Sequence, residues 1–134
     1  MTIELRNADA LAPPAGFSHA STAPAGRIVH LAAQIGTDAE GNLPDGLAAQ
    51  TEQALLNLVT ALTGASDASV DDLAKVTIYV VGWRESMQPE LFEGIGKAAS
   101  VNRLPLVPIT LIGVHSLFLD AALIEIEATA VIAD

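Results

Sequence analysis

The sequence predicts an α+β domain: a mixed β-sheet with two helices packed on one face. Three observations carry this prediction. Residues 123–132 alternate in polarity with the period of two that sends successive side chains to opposite faces of a strand. Leu55, Leu58, Val59 and Leu62 instead recur at helical spacing, the stripe of an amphipathic helix. After a short first strand, the elements read β-β-α-β-α-β-β, the order of a mixed sheet with two helices.

Residues 2–6 read as a short strand, and residues 7–16, rich in Ala, Pro and Gly, as a loop. Residues 18–22 and 27–32 are short strand-like runs. The Ala23-Pro24-Ala25-Gly26 segment between them predicts a hairpin turn. Gly41, Asn42, Pro44 and Gly46 then mark a loop, and Asp45 is placed to cap the following helix. Thr51, Gln53 and Asn57 fall outside the apolar stripe of that helix, and Gly64 suits the position just past its end. Ser69 and Asp72 have the spacing of a capping pair. Residues 75–81 are β-branched and aromatic, hence a strand. A second helical region begins at Trp83, with Pro89 in its first turn and Phe92 and Ile95 on its buried side. Residues 102–105 form a loop, and residues 107–115 and 123–132 are the last two strands.

The final strand defines two faces. Ile124, Ile126, Ala128, Ala130 and Ile132 need a cover of helices. Glu125, Glu127 and Thr129 lie on the other side. Two helices cover one face only, so the second face is left to solvent or to another subunit. A hydrophobic content of 51% favours a subunit.

Composition excludes several functions. The chain of 134 residues suits one domain, 1–134, and no apolar run reaches the ~18 residues of a membrane span. Sixteen acidic against six basic residues give a net charge of −10, which opposes nucleic acid and anionic membranes alike. Cysteine is absent, so disulfides, thiolate metal sites and a cysteine nucleophile are excluded. The first residues lack a basic segment followed by an apolar one, and a cytoplasmic location is expected.

Motif chemistry is sparse. His19, His30 and His115 have no zinc-pair spacing, and no phosphate-binding loop or nucleophile elbow occurs. Gly94 and Gly96 lie inside a helix, so they make no dinucleotide fingerprint. Ser18 and His19 are strand neighbours pointing to opposite faces and cannot form a dyad. Glu125 and Glu127 point the same way, ~7 Å apart. Paired carboxylates can do acid–base work, although a solvated sheet face is the commoner meaning of such a pair.

Several segments resemble one family in order along nearly the whole chain. They are Gly16-Phe17-Ser18-His19-Ala20; Val29-His30-Leu31-Ala32-Ala33-Gln34-Ile35-Gly36; Gln50-Thr51 with Ala54-Leu55 and Asn57-Leu58; Asp71-Asp72-Leu73 with residues 75–80; and Ile124-Glu125-Ile126-Glu127-Ala128 with Ala130-Val131. Together they resemble the reactive intermediate deaminase family, Rid or YjgF-like. The resemblance implies a chorismate-mutase-like α+β fold and a homotrimer, with three sheets forming a barrel and small-molecule clefts between subunits. It implies hydrolysis of 2-imino and enamine acids without metal or organic cofactor.

The family's penultimate strand carries an arginine that grips the substrate carboxylate. Here Pro108-Ile109-Thr110-Leu111 puts Thr110 at that position. The last-strand glutamate that places the attacking water corresponds to Glu125. By the same likeness Phe17, Gln34, Ile35, Gly36 and Thr110 are expected to line the cleft. Phe17 replaces a usual tyrosine, and Ala32-Ala33 a usual Ser-Gly.

Losing the arginine removes two charge-assisted hydrogen bonds, each worth ~1.5–3 kcal/mol. Weak 2-imino acid hydrolysis is therefore expected, with a neutral ligand preferred because no nearby arginine compensates. Arg103 in the preceding loop is a remote substitute. The alternatives are a non-catalytic metabolite-binding trimer and a ribonuclease, the second disfavoured by the acidic charge.

Overall fold

The computed structural model describes residues 3–134. The strands are β1 (Glu4–Arg6), β2 (Ala20–Thr22), β3 (Gly26–Gln34), β4 (Leu73–Val81), β5 (Ile109–Val114) and β6 (Ile124–Ala133). The helices are α1 (Leu47–Ala65) and α2 (Gln88–Asn102). Thr2, expected at the start of the first strand, lies outside the described residues.

Four strands form one mixed sheet in the order β3-β6-β4-β5. β6 runs antiparallel to both its neighbours, and β4 and β5 are parallel. Parallel neighbours need a long crossover, and α2 lies within it. α1 packs against β3 and β6, and α2 packs against α1. The alternation of β6 is realised: Ile124, Ile126, Ala128 and Ala130 are buried, while Glu125, Glu127 and Thr129 are only half-buried. Val76, Ile78 and Val80 of β4 join the same core, together with Leu55, Leu58 and Leu62 of α1.

Five local expectations are corrected. β2 does not form a hairpin with β3. It pairs antiparallel with β1 in a separate two-stranded ribbon, and β3 pairs with β6 instead. The long apolar β3 gains far more from the central sheet than from a three-residue partner. Asp45 does not cap α1, whose N-cap is Gly46 at φ 89°, a conformation that favours glycine. Gly64 lies within α1, which continues to Ala65 and is capped by extended Ser66. Phe92 is exposed, and the buried side of α2 is Leu91, Gly94 and Ala98, one position out of phase.

The fifth is Thr51, which is fully buried with no partner for its Oγ1. α2 crosses α1 there, and Gly94 makes the crossing close. A Cβ on Gly94 would stand 2.4 Å from the Ala48 carbonyl oxygen and 2.6 Å from Thr51 Cβ.

Other details follow the sequence. Pro89 sits in the first turn of α2. The Ser69 N–H donates to the Asp72 carboxylate at 2.8 Å, closing the expected cap over a 3-10 turn.

Candidate functional site

Alternation along β6 and β4, with their antiparallel register, builds a polar strip on the uncovered sheet face. Glu125 stands opposite Tyr79, Glu127 opposite Thr77, and Thr129 opposite Lys75. His30 of β3 faces Thr129, and Thr110 of β5 faces Thr77. Thr110, Thr77 and Glu127 therefore lie in one row across three strands.

The two carboxylates of this strip are not equivalent. The Tyr79 hydroxyl donates to Glu127 Oε1 in a short hydrogen bond. That bond raises the Tyr79 pKa above its ordinary value of 10.0, with loss of solvent and the negative charges of Glu127 and Glu125 acting the same way. The Glu125 carboxylate makes no hydrogen bond to another described residue. It is the one left available to a ligand or water.

The six predicted site residues divide into two groups. Gln34 ends β3 opposite Ile126, so Gln34, Ile35 and Gly36 lie beside the start of β6 and hence beside Glu125. Asn57 of α1 fixes this corner, its amide donating to the carbonyls of Ile35 at 2.8 Å and Thr37 at 2.7 Å. Gly36 is required by a close approach, since a Cβ there would meet the Gln50 carbonyl oxygen at 2.6 Å. It opens instead onto a concavity of about 310 Å³ with Asp38, Asn42, Leu43, Pro44 and Gln53. The loop beyond is tied by Asp38. Its Oδ1 accepts from the N–H groups of Asn42 at 2.8 Å and Glu40 at 3.0 Å, and these bonds, that to Asn42 foremost, lower its pKa.

The second group is at the other edge of the sheet. Thr110 lies on β5. Phe17, in the loop before β2, is held near the start of β5 because the Ser18 N–H donates to the Val107 carbonyl at 3.4 Å. Its ring meets His19 edge-on at 6.2 Å. β3 and β5 are separated by two strands, about 14 Å at sheet spacing. A single chain does not bring the two groups together.

Lys75 is a charged residue of this strip that sequence reading did not single out. Its ammonium donates to Thr110 Oγ1 at 2.9 Å. No carboxylate lies within ion-pair distance of it among the described residues. No arginine stands beside Thr110, but a lysine of the neighbouring strand does. The parallel β4–β5 register was the missing signal, for nothing local links residues 75 and 110. Arg103, the cation considered from sequence, instead ends α2 in a left-handed conformation at φ 50°.

Among the described residues, no group of three or more His, Asp or Glu side chains is placed to hold a metal ion. No helix of the described residues is long and apolar enough to cross a membrane.

A mixed sheet backed by two helices, with a polar strip on its uncovered face, defines the α+β class to which the chain belongs. The family model described as Endoribonuclease L-PSP matches residues 7–132. The chain belongs to this family, the YjgF/Rid family. A Rid-family protein from Yersinia pestis, YyfB, is 34% identical, with 98% of this chain and 100% of that chain covered and a TM-score of 0.85. The YjgF gene product of E. coli is 25% identical over 98% of each chain, with a TM-score of 0.68. A YjgF/YER057c/UK114 family member from Mycobacterium tuberculosis is 26% identical, covering 98% of this chain and 100% of that one, with a TM-score of 0.62. None of the curated proteins compared matches the chain. Membership supports a protein concerned with small metabolites.

Proposed function

We propose that the chain forms a homotrimer in the cytoplasm and acts on imine- or enamine-type metabolites in clefts between subunits. The separation of the two site groups is the observation that carries this reading. The Gln34–Gly36 corner stands at the β3 edge of the sheet, beside Glu125 of β6, and Phe17 with Thr110 at the β5 edge. A second copy placing its far edge against the near edge of the first would complete a cleft. Exposed apolar side chains on the open strands support such a contact, with Ile28 at 63% and Ile112 at 42% exposure.

In that cleft Glu125 orients a water for attack on the imine carbon. Thr110 contributes a hydroxyl where the archetype has a guanidinium. Hydrolysis of 2-imino acids is accordingly slow, because a threonine and a lysine point charge do not reproduce a planar two-bond fork. A non-catalytic metabolite-binding trimer is the second reading, and the absence of that fork is what favours it.

Sedimentation at micromolar concentration tests the assembly, and a monomer alone would refute it. For chemistry, an amino-acid oxidase generates the imine and semicarbazide intercepts it. The expected result is modest wild-type hydrolysis that Glu125→Gln removes. Thr110→Arg should raise kcat/KM for 2-imino acids and do little for imines lacking a carboxylate. Hydrolysis unaffected by Glu125→Gln would refute the role given to that residue, and no hydrolysis with retained ligand binding would favour the non-catalytic trimer.

A further inference from the structure

The last strand presents two identical side chains to one face. Glu125 and Glu127 are two residues apart on β6, about 7 Å along the strand, and both are half-buried. A ligand with a cationic N–H, such as a protonated imine, is drawn by charge to either. Glu127 borders a hollow of about 170 Å³ with His30, Lys75, Thr77 and Thr129, so a small molecule can reach it. The cation of this face neutralises neither carboxylate. Lys75 turns its ammonium onto Thr110 Oγ1 at 2.9 Å and forms no ion pair among the described residues. His30 stands opposite Thr129, beyond Glu127.

Tyr79 makes the two carboxylates different. The β4–β6 register places it opposite Glu125, with Glu127 on the diagonal, a separation that an aromatic side chain spans. Its hydroxyl takes the diagonal and donates to Glu127 Oε1. The raised pKa of Tyr79 follows from that bond first, then from loss of solvent and from the charges of Glu127 and Glu125, so the phenol lies within electrostatic reach of both. A hydrogen bond to a charged group fixes the Glu127 carboxylate and occupies one of its oxygens. Glu125 has no such partner among the described residues.

We propose that Tyr79 is a positioning residue: by holding Glu127 it confines cationic N–H ligands to Glu125. This rests on the hydrolytic reading for what Glu125 then does. The two oxygens of Glu125 take the imine N–H and the attacking water together. An imine seated on Glu127 lies about 7 Å along the strand from that water, bound but out of line. Tyr79→Phe keeps the ring, removes the donor and frees Glu127 to compete.

Acetamidinium, a planar N–H cation shaped like a protonated imine, tests this by carboxyl-carbon NMR of the native oligomer labelled at glutamate. Glu125→Gln and Glu127→Gln assign the two resonances. Acetamidinium should move the Glu125 resonance in the wild type and leave that of Glu127 in place. In Tyr79→Phe it should move both, with Glu52 and Glu93 of the helices unmoved as a check on folding. In the oxidase-coupled assay Tyr79→Phe should lower kcat and KM together by about twofold or more, the factor for two equally attractive seats, and leave their ratio unchanged. Adding Glu127→Met to that variant removes the competing seat and should restore both constants. A wild-type Glu127 that responds as Glu125 does, a wild-type Glu125 that does not respond, a silent Glu127 in Tyr79→Phe, or a fall in kcat that Glu127→Met leaves in place would overturn the proposal. No hydrolysis by the wild type, with the resonance pattern as expected, would overturn the hydrolytic reading and leave the role of Tyr79 standing.

Discussion

The two faces of the sheet are built from alternate residues of the same strands, and they are chemically opposite. On the covered face Ile124, Ile126 and Ala130 are fully buried beneath the helices. On the open face Glu125, Glu127 and Thr129 occupy the intervening positions with solvent access. Covered positions gain free energy in proportion to the apolar area removed from water. Open positions gain little from burial, and so can hold unpaired charge such as that on Lys75 and Glu125. Stability and chemistry are divided by a single-residue step along the chain.

Four experiments would break or sharpen this contrast. The largest effect is expected at the covered face, where Ile126→Ala should destabilise by about 2–5 kcal/mol through lost burial and a residual cavity. Thr129→Ala on the open face should stay within about 0.5 kcal/mol. Chemical denaturation of the two variants measures the difference, and equal losses would mean that the open face contributes as much to folding stability as the covered one.

The buried amide of Gln50 binds the loops to the covered side. Its Nε2 donates to the carbonyls of Pro44 and Ala121, both at 3.1 Å, and its Oε1 accepts from the Leu123 N–H at 2.8 Å. Gln50→Leu strands those backbone groups and should cost about 1–3 kcal/mol. Hydrogen exchange should locate the loss at Leu123, the entry to β6, and retained protection there would contradict the assignment.

The helix layer offers a paired test with glycines. Gly94→Ala should destabilise by about 1–3 kcal/mol, because backbone and a buried threonine leave no room at the crossing. Gly96→Ala meets open space and should stabilise by up to about 1 kcal/mol. Melting temperatures moving the same way in both variants would contradict the close crossing of α1 and α2.

The smallest effect is electrostatic. Tyr79 is the chain's single tyrosine, so ultraviolet titration reads its phenol alone. Glu127→Gln should lower its pKa towards 10.0 by replacing a charged acceptor with a weaker neutral one and removing a negative charge. The sign for stability follows from a raised native pKa. The contribution is fully present below pH 10.0, the unfolded value, and is lost as pH rises through the higher native value. An unchanged titration would show that the Tyr79–Glu127 bond does not persist in solution.

The sequence alone determined what depends on periodicity. The two faces of β6, the leucine stripe of α1, the Ser69–Asp72 cap and the position of Pro89 are set within a few residues, where backbone geometry dictates which side chains share a face. Family likeness added Thr110 and Glu125 as positions, without saying what stands beside them. Tertiary structure decided the partnerships. β2 leaves β3 for β1 because strand pairing is settled by the total surface each pairing buries, not by the turn between neighbours. Thr51 is buried because α2 crosses it, which no pattern within α1 encodes. Lys75 meets Thr110 only because a helical crossover brings β5 parallel beside β4, and such a contact between distant residues depends on a register that the whole packed core fixes at once.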